Sequence, residues 1–184
     1  YTGLRVGVST AKGLCFGSGV PLLAVGTLDT LVAQASSTEA LSVAASGNWK
    51  YIIPMIDARR MEVYSAVFEI PSPCSSDSSD QTGQAGNNWK AEQITETCPV
   101  IVDENSFIEY LEQGPCLFIG DGAGKCADVI KHPDAHFCQC NPKASSMLLP
   151  ALAALKKKEF CDVAYFEPFY LKEFVATVSK KKLF

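Results

Sequence analysis

The sequence predicts an α/β fold, because helical and strand patterns alternate along its 184 residues. Residues 3–17 carry apolar side chains at helical spacing, whereas residues 21–25 form a short apolar run that favours a buried strand. Residues 61–70 place two sets of side chains on alternate faces, which is typical of a strand. Further along, the apolar run 116–119 leads into a glycine-rich turn and another helical pattern.

The composition indicates a globular protein with a core of its own. A chain of this length can bury roughly 70% of its unfolded surface. The net charge of −4 does not favour nucleic acid as a direct partner, and the eight cysteines lack the spacing of a disulfide scaffold. Because we find neither a signal sequence nor a membrane-length apolar run, we expect a cytoplasmic protein with reduced thiols. The chain starts without Met inside a predicted helix, so we also expect a preceding segment.

The first helix is the feature that points to a partner. Glycines at positions 3 and 7 continue to Ala11 as a stripe of small residues that lets another helix approach closely. Each interior glycine costs the helix roughly 1 kcal/mol relative to alanine. Two interpretations remain open, since the stripe fits either the chain's own sheet or a second subunit. A phosphate loop fits poorly, because Lys12 is followed by glycine and not by Ser or Thr.

The remaining patterns complete an alternating order of helices and strands. Thr27 starts a helix with Leu28, Leu31, Val32 and Ala35 on one face. Strands are expected at 50–57, 61–70, 89–97, 116–119 and 135–140, with an edge or a bulge at Pro54. Helices are expected at 36–47 and 104–113, after Lys125 through Ile130, and from Asn141-Pro142 onward with a bend at Pro150. Residues 71–88 are rich in Ser, Asp, Gln, Gly and Asn and predict a flexible loop.

Three groups of residues invite a chemical interpretation. The turn Gly120-Asp121-Gly122-Ala123 follows a strand and precedes a helix, so its amides suit either a phosphate or a tight turn. Four potential zinc ligands lie between His132 and Cys140, but Pro133 interrupts their spacing and a plain loop and strand is favoured. Asp57, Arg59, Arg60 and Glu62 cluster at a hairpin tip, where solvated ion pairs are the simpler interpretation of the charges.

Four sequence blocks closely resemble the TsaB family, also called YeaZ. They are Thr-Gly-Leu-Arg-Val-Gly-Val-Ser-Thr-Ala-Lys-Gly-Leu at 2–14, Pro-Leu-Leu-Ala-Val-Gly-Thr-Leu at 21–28, Asp-Ala-Arg-Arg-Met-Glu-Val-Tyr at 57–64 and Glu-Pro-Phe-Tyr-Leu at 167–171. The resemblance runs nearly from end to end, and the order of the blocks makes it specific.

The resemblance implies a ribonuclease-H-like, actin-like ATPase fold with two subdomains. Residues 1–48 would be the second half of subdomain one, residues 49–160 would form subdomain two, and residues 161–184 would return to subdomain one. The function implied is a non-catalytic scaffold that pairs with the TsaD-type transferase in threonylcarbamoyladenosine modification of tRNA. The alternative is a nucleotide-binding or glycoprotease-like enzyme of the same superfamily.

The resemblance also implies partners and contact residues. TsaD-type and TsaE-type proteins are the expected partners, the free chain is expected to be a homodimer, and tRNA is reached only through the complex. No cofactor is expected on this chain alone, whereas the complex is expected to accommodate ATP and magnesium. Contact with the partner is expected at Leu4, Arg5, Gly7, Val8, Ala11, Lys12, Leu28, Leu31 and Val32, and Gly120, Asp121, Gly122 and Ala123 resemble a remnant of the nucleotide-binding turn.

Overall fold

A computed structural model of the chain describes residues 2–35, 49–71 and 91–171. Its contacts separate the chain into two units. One comprises residues 1–22 together with residues from Cys161 onward, and the other comprises residues 23–160. The family resemblance places the subdomain limits at 48 and 160, and those limits stay predictions.

The first unit is built on the predicted amino-terminal helix. Helix α1 spans Thr2–Ser18 and is followed by Gly19 in a left-handed conformation. The strand expected at 21–25 is wrong: Leu22 makes only an isolated bridge to Cys161, whose amide donates to the Leu22 carbonyl at 2.8 Å. A strand needs a continuous neighbour for its backbone groups, and the described residues supply one bridge only.

The second unit contains one mixed sheet of seven strands within the described residues. Strand β1 lies at its centre, because it pairs antiparallel with β2 and β3 on one side and parallel with β6 on the other. Strand β7 is parallel to β6, while β4 and β5 extend the antiparallel side. The strands are β1 Tyr51–Asp57, β2 Glu62–Ser65, β3 Phe68–Glu69, β4 Glu92–Gln93, β5 Cys98–Ile101, β6 Cys116–Gly120 and β7 Ala135–Gln139.

Pro54 explains why the predicted strand 61–70 is split into β2 and β3. The pairs Ile52–Phe68 and Met55–Ser65 keep a single register, so the gap at 66–67 faces the proline. Pro54 has no amide hydrogen to donate across the sheet. The expected edge position is therefore wrong, since Pro54 lies in the central strand, and the Ser65 hydroxyl donates to its carbonyl at 2.8 Å.

The hydrophobic core lies on both faces of β1 and β6. Every residue of β6 is buried, as the apolar run predicted. Helix α2, Thr27–Ala35, covers one face, and its buried apolar residues are the four that the helical pattern placed together. On the other face, Phe118 stacks on Phe137 with ring centroids 4.9 Å apart. That face also includes Ala123, Cys126, Ile130 and Leu111.

Of the three later helices in the described residues, two are shorter than predicted, and the one expected after Lys125 begins earlier. Helix α3 spans Ile108–Leu111 and is preceded by Phe107 in a left-handed conformation, and α4 spans Ala123–Ala127. A 3₁₀ turn at Ala144–Met147 leads into α5, Leu148–Lys157. Pro150 lies in the first turn of α5, so its missing amide costs the helix no hydrogen bond.

Three sequence predictions fall outside the described residues. They are the helix at 36–47, the core of the flexible loop at 72–88, and the tail beyond residue 171 with its terminal lysines. Within the described parts of the chain, none of the helices combines the length and the apolar character that crossing a bilayer requires.

We predict that Gly120→Ala destabilises the fold by at least about 2 kcal/mol. Gly120 has φ of +135°, and a Cβ there would clash with the Met55 carbonyl oxygen. Gly13→Ala in α1 is the control, because no described atom lies within 4 Å of its Cβ position and alanine favours a helix by about 1 kcal/mol. Urea unfolding followed by circular dichroism measures both, and equal stabilities would contradict the prediction.

Candidate functional site

One face of α1 is open along the whole helix. A Cβ added to any of its glycines would meet no described atom within 4 Å. Val6 and Leu14 project from the same side and are 60% and 65% exposed. Of the predicted stripe, Gly3 and Gly7 are left uncovered by the described part of the chain, whereas Ala11 is half-buried. The open face comprises Gly3, Val6, Gly7, Thr10, Gly13, Leu14 and Gly17.

The opposite face of α1 holds the carboxyl-terminal segment of the same unit. The ammonium group of Lys12 donates to the carbonyl oxygens of Ala164 at 3.0 Å and Phe166 at 2.9 Å. Nε of Arg5 donates to the Tyr170 hydroxyl at 3.2 Å, and the guanidinium carbon lies 5.6 Å from the centroid of the tyrosine ring. The segment therefore rests on two cations spaced seven residues apart on one side of the helix.

These contacts line a cavity of about 280 Å³. Its walls are mixed in character, since a carboxylate, two cations and aromatic rings border it. The lining residues are Arg5, Val8, Ser9 and Lys12 of the helix, and Phe166, Glu167, Pro168 and Tyr170 of the segment. The cavity thus joins the first and last of the four sequence blocks.

The predicted contact residues of α1 divide between the two faces. Leu4 is 51% exposed and Gly7 is open, so both are available to a partner. Arg5 and Lys12 instead make the intrachain contacts described above. The remaining two predicted residues, Val8 and Ala11, are half-buried.

The predicted contact residues of α2 are not at the surface. Leu28, Leu31 and Val32 are buried against the sheet, with Leu31 completely inaccessible. Their helical spacing identified a core face correctly, but it could not distinguish a core face from an interface. These three residues therefore do not belong to a surface that a partner can contact.

The glycine-rich turn is packed against the centre of the sheet. The Gly122 amide donates to the Met55 carbonyl at 3.1 Å, and the Asp57 amide donates to Asp121 Oδ1 at 2.9 Å. Gly120 and Gly122 are both buried, and the side chain of Ala123 is in the core. Close packing accounts for the small residues here, and nucleotide binding by Gly120, Asp121, Gly122 and Ala123 stays a prediction.

Lys125 is a residue whose role the sequence did not reveal. Its ammonium contacts the Asp57 carboxylate and donates to the carbonyls of Arg60 at 2.8 Å and Glu62 at 2.7 Å. The Lys125 hydrogen bond, followed by that from the Arg59 amide, holds the pKa of Asp57 below its usual range. The structure shows that this lysine fastens the β1–β2 hairpin.

The histidines and cysteines of residues 132–140 do not form a metal site. In the described part of the chain no group of three or more potential ligands comes together. His136 packs edge-on against Trp49 with ring centroids 4.6 Å apart, while His132 Nδ1 accepts from the Asp134 amide at 3.2 Å. Burial raises the pKa of the Cys140 thiol to about 11, and the seven cysteines in the described part are all free.

Comparisons with known proteins place these features in a family. The profile of the family described as TsaD, tRNA N6-adenosine threonylcarbamoyltransferase, matches residues 1–180. The tRNA threonylcarbamoyladenosine biosynthesis protein TsaB of Bacillus subtilis strain 168 is 27% identical over 180 residues. That match takes in 94% of this chain but only 65% of the relative, so the chain spans less than two thirds of the relative's length.

Solved structures from Pseudomonas aeruginosa share the fold. One is an uncharacterized protein with similarity to peptidase YEAZ, with a TM-score of 0.68 and 21% identity over 94% of this chain and 68% of that one. The other is YeaZ, with a TM-score of 0.62 and 20% identity over 92% of this chain and 69% of that one.

We predict that Lys12→Met releases the carboxyl-terminal segment from α1. Two hydrogen bonds from a charged donor are lost, which lowers the local opening free energy by about 1 to 3 kcal/mol. Hydrogen exchange of residues 161–171 should accelerate accordingly. Lys157→Met is the control, because Lys157 is exposed and, among the described residues, its ion-pair partner is Glu159 at 3.7 Å. Unchanged exchange in the Lys12 variant would contradict this account.

We also predict a pH-dependent contribution from Asp57. Because its folded pKa is lowered, the stabilisation is complete above the unfolded pKa of about 3.9 and is lost as the pH falls through the folded value. Asp57→Asn should therefore be less stable than the wild type at pH 6, by less than about 1 kcal/mol because the carboxylate is half exposed. The difference should vanish near pH 2, and a difference that does not change with pH would refute the assignment.

Proposed function

Because this chain belongs to the TsaD family of tRNA N6-adenosine threonylcarbamoyltransferases, we propose that it acts in the biosynthesis of threonylcarbamoyladenosine on tRNA. The name of the Bacillus subtilis relative supports this pathway. Within it, we propose that the chain is a non-catalytic scaffold subunit that pairs with a TsaD-type transferase.

The observation that carries the scaffold proposal is the open face of α1. Its glycines place no side chain between the helix backbone and an approaching neighbour. A glycine row of this kind lets two helix axes approach more closely than larger side chains would allow. The exposed Val6 and Leu14 flank the row and supply apolar area that a partner would remove from water.

The helix also has a reason to remain ordered before the partner binds. Interior glycines weaken a helix by roughly 1 kcal/mol each, so α1 needs tertiary support. Arg5 and Lys12 supply such support through the carboxyl-terminal segment. An interface presented on a helix that is already fixed loses less conformational entropy on binding.

Further parts of the proposal follow from family membership. We propose a TsaD-type homologue as the main partner, a TsaE-type ATPase as a second one, and a homodimer through the same face when the chain is alone. We propose that ATP and magnesium join the complex and not the isolated chain, and that the complex works in the cytoplasm. Free thiols in the described residues agree with a reducing compartment.

The enzymatic alternative receives less support from the site geometry. It relies on the turn at Gly120, where the Gly122 amide already donates to Met55 and Asp121 already accepts from the Asp57 amide. A phosphate at this turn would have to compete with both hydrogen bonds. Calorimetry with ATP and magnesium on the isolated chain tests the alternative, and tight binding would favour it over the scaffold role.

We predict that Gly7→Leu abolishes pairing with the TsaD-type partner while the chain remains folded. A Cβ at position 7 meets no described atom within 4 Å in the free chain, whereas a leucine side chain would separate two closely packed helices. Gly7→Ala is the matched control, because it raises helix propensity by about 1 kcal/mol with a side chain of one carbon. Copurification of the coexpressed proteins, with circular dichroism of each variant, measures the effect.

A Gly7→Leu chain that copurifies as well as the Gly7→Ala chain would refute the assignment of this face. Loss of pairing in both variants, with the fold intact, would instead show that the contact tolerates no side chain at all and would support it.

A further inference from the structure

Two adjacent arginines at the tip of the β1–β2 hairpin adopt left-handed backbone conformations. The φ angle is 71° at Arg59 and 48° at Arg60. This region is unfavourable for residues that carry a Cβ, and turns of this kind normally use glycine or asparagine. Backbone strain of this kind is commonly retained at functional sites, which points to a ligand for these two side chains.

The hydrogen-bond donors of the two guanidinium groups are available to a ligand. Both side chains are exposed, and in the described part of the chain neither donates a hydrogen bond or lies within 4 Å of a carboxylate. Arg59 is near enough to Asp57 for its charge to help lower the pKa of that carboxyl, while Oδ1 of Asp57 accepts hydrogen bonds from Lys125 and from the Arg59 amide. A guanidinium presents a planar fork that matches phosphate oxygens in a bidentate contact.

The backbone beneath the arginines is fixed in place. Lys125 binds the carbonyl of Arg60 itself and that of Glu62, and the Ala58 amide closes the hairpin on the Glu62 carbonyl at 3.0 Å. The Asp57 amide is held in turn by Asp121. A tip fastened on both strands has little backbone entropy left to lose, so the entropy cost of binding is that of ordering the two arginine side chains.

The charge balance limits the kind of ligand. Three cations and three carboxylates surround the tip, so it exerts no strong long-range field. An anion would be held by short-range forked contacts after some other surface had brought it near. A backbone phosphate of an RNA that is already docked on a partner subunit fits this requirement. The charged residues are Arg59, Arg60, Lys125, Asp57, Glu62 and Asp121.

We infer that Arg59 and Arg60 form a contact site for backbone phosphates of the tRNA bound by the complex. This inference rests on the proposed function, since the tRNA reaches the tip only when the TsaD-type partner is present. Lys125 and Asp57 are positioning residues, because they hold the hairpin and do not touch the RNA.

The test measures binding of an unmodified tRNA transcript to the assembled complex over a range of salt concentrations. Replacing Arg59 and Arg60 together by glycine should weaken binding at least tenfold and reduce the slope of log K against log salt by about 1 to 2. The thermal midpoint of this variant should equal or exceed that of the wild type, because glycine relieves the left-handed strain. Arg59→Lys with Arg60→Lys should give intermediate affinity, since the charge remains and the fork is lost.

A control removes two other exposed cations, with Lys156→Ala and Lys157→Ala in α5, and tRNA affinity should not change. Unchanged affinity in the double glycine variant, or a lower thermal midpoint, would overturn the inference. Retained tRNA binding with loss of ATP binding would assign the pair to free nucleotide and would also overturn it. Failure of the wild-type chain to assemble with its partner would contradict the proposed function and the inference together, whereas assembly with unchanged affinity contradicts the inference alone.

Discussion

The Met55 carbonyl is the point on which the second unit depends. At the end of β6 the backbone of residue 120 lies against this oxygen in β1. Only a residue without a Cβ can occupy that position. The same oxygen accepts the Gly122 amide and so starts α4 in the direction that brings Lys125 to the β1–β2 hairpin. Close packing at one carbonyl therefore positions both the core helix and the hairpin tip.

The sequence predicted the regular elements better than their limits. Period-two alternation identified the strand pattern at 61–70 that forms β2 and β3, and a short apolar run identified β6, because burial on one or both faces leaves a direct mark on composition. It failed at residues 21–25, where a strand requires pairing partners that no local pattern reports. For Pro54 it allowed either an edge or a bulge, and the edge is wrong, because the proline lies in the central strand and the pairing is interrupted in the strand opposite.

The candidate site was also predicted only in part, because the sequence reports local patterns and not contacts between distant segments. Glycine spacing identified the open face of α1, since absent side chains are visible in the sequence, but it could not show that Arg5 and Lys12 hold residues 164–170. Helical spacing also grouped Leu28, Leu31 and Val32 correctly and gave no sign that the group faces inward. Contacts between distant segments, such as Lys125 with the hairpin, have no local signal.

The central claim is that one face of α1 is covered by a TsaD-type subunit while the other face is held by the chain itself. Hydrogen exchange of the full chain, alone and with that subunit, measures this most directly. The account predicts slower exchange across Thr2–Ser18 on complex formation, with little change in the sheet. A complex that forms while α1 exchanges at its free rate would contradict the account.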